Sequence, residues 1–176
     1  MLKTPKKIIG IDPGSVSLGI ALIENRNIII KDSCQIELGN SLNFYERLSI
    51  LRVALKQYFD RQKNPTEIEY FGIEMPWVGF NANVAIKLGQ VRGVIIAIVQ
   101  ELFPWAKIID ITPMEMRTFL NINRKCKKEE MHKELKKFYP ELENINNLDQ
   151  LDSIAVALAT QNKIMIKSIN VRSNLK

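Results

Sequence analysis

Ile8-Ile9-Gly10-Ile11-Asp12-Pro13-Gly14-Ser15-Val16-Ser17-Leu18-Gly19-Ile20 is the stretch that decides how this chain folds. An apolar run delivers one carboxylate, Asp12, to a Pro-Gly turn, and a second apolar run leads away from it. The pattern predicts a buried strand through Ile8, Ile9 and Ile11, a turn over Pro13-Gly14-Ser15, and a second strand from Leu18 to Ile23 returning beside the first. Asp12 then stands at a strand end. An acid there faces solvent, caps the turn by accepting from nearby backbone N–H groups, or holds a cation. This segment alone does not choose among them.

Working outward, Asn27 to Leu38 reads as a third strand, so the chain starts with an antiparallel meander. Ser41 is placed to cap a helix running to about Gln62, because Phe44, Leu48, Leu51, Leu55 and Phe59 recur at three- and four-residue intervals. Tyr70 to Glu74 is a buried strand that again ends in a carboxylate, with Pro76 breaking the ladder just beyond it. Asn81 to Phe103 predicts a long, mostly buried helix, in which Gly89 and Gly93 share one face and would admit another backbone. Lys107 to Ile111 is a fifth strand, Pro113 opens a short helix, and Lys128 to Tyr139 forms a lysine-rich one. The last helix, from about Asn147, puts Leu148, Leu151, Ile154, Ala155 and Leu158 on its apolar side.

This order predicts an α/β fold: a mixed five-stranded sheet, made of a three-strand antiparallel meander plus parallel strands, with helices on both faces. The parallel strands would end at one edge, so Asp12 and Glu74 meet if the first and fourth strands are neighbours.

Size and composition fit this architecture. The chain has 176 residues, 46% hydrophobic and 25% charged, the range of a globular domain. No apolar run reads as long enough to span a bilayer. The basic start Met1 to Lys7 is followed by an apolar stretch cut by Gly10, Asp12 and Pro13, a poor signal peptide, so an intracellular, cytoplasmic protein is expected. Cys34 and Cys126 lie far apart with no metal-ligand spacing and read as free thiols. The formal net charge is +6 and the pI about 9.3. Basic residues cluster at Arg124, Lys125, Lys127 and Lys128, then Lys133, Lys136 and Lys137, and again in the tail. Such clusters suit a polyanion, whose condensed counterions they release, although lysines also simply solvate a helix face.

Asp149 and Asp152 stand three residues apart at the start of the last helix and share one face. Acids in a first turn also favour the positive helix end, which accounts for one acid better than for two. If both converge with Asp12 and Glu74, four like charges cannot all ionise without cations. Hard oxygen ligands select Mg²⁺, with Mn²⁺ able to substitute. Two such ions about 3.5–4 Å apart would clamp the attacking and leaving oxygens of a phosphodiester, which is nuclease chemistry. Nothing competes: the one histidine, His132, sits in the lysine-rich helix and reads as a surface residue, and there is no P-loop or dinucleotide fingerprint.

Together these residues resemble the RuvC-type Holliday junction resolvases of the ribonuclease H-like superfamily. Ile9 to Ser15 with Gly19 is similar to the family's first motif and Phe71 to Glu74 to its second. Asn81 and Lys87-Leu88-Gly89-Gln90-Val91-Arg92-Gly93 resemble the segment that follows, and Asp149 to Asp152, continued by Ala155 to Leu158, resembles the last motif. The resemblance spans roughly Lys7 to Thr160. It implies a ribonuclease H-like nuclease domain over residues 1–160, with 161–176 a basic C-terminal extension.

The resemblance further implies that Asp12, Glu74, Asp149 and Asp152 bind two Mg²⁺ ions, and that Lys128 assists at the scissile phosphate. Arg117 would contact the backbone, and Trp77, with Phe80 and Asn81 nearby, would stack on bases at the branch point. Arg124, Lys125 and Lys127 join Lys128 as expected DNA contacts. The implied activity is symmetric, metal-dependent hydrolysis of four-way junctions by a homodimer, with the Gly89–Gly93 helix as its interface and branch-migration proteins as further partners. Met75-Pro76 and Val78-Gly79-Phe80 depart from the family pattern, and Ser153 replaces its usual alanine. Two other readings stay open: a branched-DNA or RNA nuclease of broader taste in the same superfamily, and a non-catalytic junction-binding protein.

Overall fold

Period-two alternation sorts β1 (Lys7–Asp12) into two faces. Ile9 and Ile11 enter one apolar core, while Ile8 enters another on the far side of the sheet. The computed structural model describes residues 7–24, 29–76 and 81–173. In it, β1 pairs antiparallel with β2 (Ser17–Glu24), which pairs antiparallel with β3 (Ile29–Glu37). On its other side β1 pairs parallel with β4 (Ile68–Glu74), and β4 with β5 (Lys107–Ile111), giving the sheet order β3-β2-β1-β4-β5. The expected mixed sheet is therefore present, and β1 and β4 are neighbours whose ends lie together.

One face is covered by α1 (Phe44–Asp60) and α2 (Ala82–Leu102). There Leu51, Leu55, Val91 and Ile95 are fully buried against Ile9, Ile20 and Phe71, each contributing about 1.5–3 kcal/mol. Phe59, Phe71 and Phe103 pack edge to face or tilted, with ring centroids 5.0–5.8 Å apart, a geometry that follows the ring quadrupoles. The other face is covered by α3 (Pro113–Phe119), α4 (Lys128–Phe138) and α5 (Leu148–Ser173). Every residue of α5 from Leu151 to Gln161 is buried. A helix apolar all round belongs in a core, and α5 lies between the sheet and the smaller helices, continuing as helix across residue 160 to Ser173.

Four expectations need correction. The first helix is capped by Asn43, not Ser41: its Oδ1 accepts from the N–H groups of Tyr45 and Glu46 while Glu46 returns a bond to the Asn43 N–H, the reciprocal capping that fixes a helix start. The second helix is not mostly buried, since Val84 and Ile86 are exposed and a Cβ added at Gly89 or Gly93 would meet nothing within 4 Å. It is also long and apolar enough to cross a membrane by length and composition, contrary to the sequence reading; its Val91–Val99 face fills the core instead. In the last helix, Leu148 is exposed rather than packed.

Candidate metal centre

The same alternation that buries Ile9 and Ile11 turns Gly10 and Asp12 toward α5. In β4 it does likewise with Gly72 and Glu74. The two strands carry one device, Gly-Ile-acid, and are in register, Gly10 opposite Gly72 and Ile11 opposite Ile73. The glycines matter for space. A Cβ on Gly10 would strike the Ser153 carbonyl and the Ala157 backbone, one on Gly72 would strike Thr160, and one on Gly19 the Asp149 carbonyl. Bare backbone on β2, β1 and β4 thus lets α5 lie directly on the sheet, with its first turn above the end of β1.

That placement brings the acids together. One carboxylate oxygen from each of Asp12, Asp149 and Asp152 lies within 4.8 Å of the others, and Glu74 hydrogen-bonds the Asp12 side chain. Burial, then the charges of Glu74 and Asp152, pushes the Asp12 carboxyl up to about 9. Burial also raises Glu74. The pair therefore retains a proton that exposed carboxylates would lose. An all-oxygen set this strained by like charge fits a hard divalent cation, which would let the acids ionise.

The two acids of α5 are braced. Asp149 Oδ2 accepts from Ser17 Oγ at 2.5 Å and Gln35 Nε2 at 2.7 Å, and Asn147 Nδ2 donates to Gln35 Oε1 at 2.6 Å. Asp152 is wholly buried; His132 Nε2 lies 2.7 Å from its Oδ1, and the Lys128 ammonium sits on its Oδ2. Burial opposes the charge on Lys128, but the contact with Asp152 and the fields of Asp12 and Glu74 outweigh it and hold the ammonium above the ordinary lysine range. His132 is therefore not the surface residue expected from its lysine-rich helix. Met131 and Leu135 bury that side of α4, and Lys128 and His132, four residues apart, share one face. That spacing was the available signal.

Arg92 explains part of the Lys87–Gly93 motif. Its Nη1 donates to the Ile73 and Glu74 carbonyls at 3.2 and 3.0 Å, and its Nη2 meets Asp110. Arg47 similarly donates to the Ser15 carbonyl in the turn after Asp12, at 2.8 Å. Arg92→Met is expected to cost about 1–3 kcal/mol in urea unfolding and to slow cleavage by loosening the end of β4; unchanged stability and rate would remove Arg92 from the support of Glu74.

Among the other expected site residues, Arg117 is partly buried on α3, where its charge acts on Glu74. Arg124, Lys125 and Lys127 are exposed in the segment before α4. Asn81 caps α2, its Oδ1 accepting from the Val84 N–H. Trp77 and Phe80 lie outside the described residues. Cys34 and Cys126 are free thiols, and burial raises Cys34 to about 11, which leaves it a poor nucleophile.

The model of the crossover junction endodeoxyribonuclease RuvC family matches residues 8–160. The chain belongs to that family. Relatives bearing the family's name include one from Aliarcobacter butzleri, 30% identical over 155 residues that cover 86% of this chain and 96% of that protein. One from Campylobacter curvus is 28% identical over 167 residues, 92% of this chain and 99% of that protein. Among solved structures, Thermus thermophilus RuvC in complex with a Holliday junction substrate superposes with a TM-score of 0.75 at 16% identity, covering 91% of this chain and 96% of that one. The yeast mitochondrial Holliday junction resolvase superposes at 0.62 and 14% identity, covering 90% and 78%. At such identities the superpositions speak for the fold, which is the RuvC, ribonuclease H-like one.

Proposed function

We propose that the chain is a structure-selective endodeoxyribonuclease that resolves four-way junctions by Mg²⁺-dependent hydrolysis of phosphodiester bonds. The observation that carries this reading is the meeting of acids from β1 and α5, with Glu74 of β4 bonded to Asp12, in a chain of this family. Asp12, Glu74, Asp149 and Asp152 would hold two ions, which when bound supply charge stabilisation at the attacking and leaving oxygens and a water of lowered pKa.

The chain's own groups do the rest. Ser17 and Gln35 orient Asp149. Lys128 brings a mobile positive charge to the edge of the acids, suited to a phosphate oxygen. Arg124, Lys125 and Lys127 offer exposed charge for flanking phosphates, and Arg117 on α3 would add a backbone contact. Trp77, with Phe80 and Asn81, would meet the opened bases at the crossover, where a stacked aromatic is worth about 1–3 kcal/mol per base. Two equivalent strands must be cut, so a two-fold homodimer fits the substrate. The exposed Val84–Ile86 part of α2, with Gly89 and Gly93 facing open space, is the surface we assign to it. Branch-migration proteins are the partners such a dimer would serve, and the cytoplasm of a bacterial cell its setting.

The test is cleavage of a labelled four-way junction and a matched linear duplex, with Mg²⁺ or with chelator, by the wild type and Glu74→Gln. Paired symmetric nicks in the junction alone, lost in chelator and in the variant, are expected. Equal cutting of duplex, forks and flaps would instead make the protein a general nuclease, and junction binding without cutting a binding module.

A further inference from the structure

We propose that His132 is a positioning residue of the metal centre, fixing the orientation of the Asp152 carboxylate through an Nε2–H bond to Oδ1. The inference rests on the reading of Asp152 as a metal ligand and adds the group that aims it.

Asp152 is buried completely, so water cannot orient its carboxylate. Two side chains from one face of α4 reach it instead, and they differ in kind. Lys128 begins the helix, its side chain is 55% exposed, and its ammonium is a point charge on a flexible stem. It balances charge without dictating an angle. His132 has a ring 6% exposed, flanked in α4 by the buried Met131 and Leu135, and its Nε2 is 2.7 Å from Oδ1. A rigid donor on a packed helix does set the plane of the carboxylate that accepts from it.

The hydrogen-bond network also assigns the tautomer. An ionised carboxylate only accepts, so Nε2 carries the proton. His132 Nδ1 is buried and has no partner among the described residues; a lone pair there costs less than a buried N–H without an acceptor. With Oδ1 held by the imidazole, Oδ2, which meets the Lys128 ammonium, is the oxygen that would be left to a cation. This is the arrangement in which a bonded partner tunes a metal ligand, with His donating to the carboxylate rather than the reverse.

The experiment is calorimetric titration of Mn²⁺ into the full chain without DNA, with thermal melts in chelator, for wild type, His132→Gln and His132→Leu. Glutamine presents an N–H at similar reach to Nε2; leucine fills the space without a donor. His132→Leu is expected to weaken Mn²⁺ binding by about 10-fold or more, with His132→Gln close to wild type. Equal binding by His132→Leu overturns the proposal, and so does a His132→Gln as impaired as His132→Leu, since packing of the ring would then be what matters. Should leucine prevent folding, His132→Met replaces it; if neither apolar variant folds while glutamine does, the role is structural and the proposal is wrong. Absence of Mn²⁺ binding in the wild type would instead defeat the metal-ligand reading itself.

Discussion

Asp12→Asn is expected to abolish cleavage and yet make the metal-free protein more stable. The two effects share one cause. Asp12 stands among Glu74, Asp152 and Asp149 in a largely buried site, and its carboxyl is pushed up to about 9, first by burial and then by its acidic neighbours. An unfolded aspartate titrates near 3.9, so between about pH 4 and 9 the folded state holds a proton that the unfolded state has given up. Stability from this site is therefore complete at low pH and falls as pH rises across that window. Melts in chelator at pH 5 and pH 8 should show a lower midpoint at pH 8 for the wild type and a smaller difference for Asp12→Asn. At pH 8 the variant should gain at least about 1 kcal/mol, or about 2–4 °C for a chain of this size. Saturating Mg²⁺ should raise the wild type and barely move the variant, while cleavage falls by roughly 10²–10³-fold or more. A variant that melts below wild type in chelator would show that Asp12 is stabilised where it stands, against the electrostatics described above.

How far such a site can be read from sequence depends on the range over which its causes act. Strand ends are local: Gly10-Ile11-Asp12 and Gly72-Ile73-Glu74 announce a carboxylate after a buried run, and the parallel pairing of β1 and β4 follows from the crossover through α1 that leads from the meander into β4. Asp149 and Asp152 declare themselves by their spacing in one helix. His132 declares itself only weakly, through its four-residue spacing from Lys128 and its place between Met131 and Leu135, because its contact with Asp152 is made by α4 packing on α5. Ser17 and Gln35 do not, since they reach Asp149 across 132 and 114 positions of sequence. The glycines divide into two kinds. Gly89 and Gly93, four apart in a helix, face open space within this chain and so leave their close approach to a second copy, while the strand glycines Gly10, Gly19 and Gly72 carry the tight contact inside it.

That contrast yields the second large effect. Gly19→Ala adds one methyl group where the Asp149 carbonyl already sits, with the Ser153 side chain just behind it. Backbone cannot rotate away as the tip of a side chain does, so the first turn of α5 must lift from β2. Overpacking of this kind costs about 1–3 kcal/mol, occasionally more, which urea unfolding will register. The catalytic cost should be larger, because the turn that lifts carries both Asp149 and Asp152 away from Asp12 and strains the bonds from Ser17 and Gln35. A displacement of about 1 Å at reacting groups is worth roughly 10²-fold in rate, so single-turnover cleavage should fall by about that factor even under conditions where the variant is fully folded. Gly89→Ala is the matched control for folding: its methyl meets nothing within 4 Å in this chain, and in a helix interior alanine is favoured by about 1 kcal/mol, so a loss of cleavage there would report on the dimer surface and not on the acids. If Gly19→Ala cleaved and unfolded like the wild type, α5 would not rest on β2 as described. The acids would then owe their meeting to something other than the bare glycine backbone beneath them.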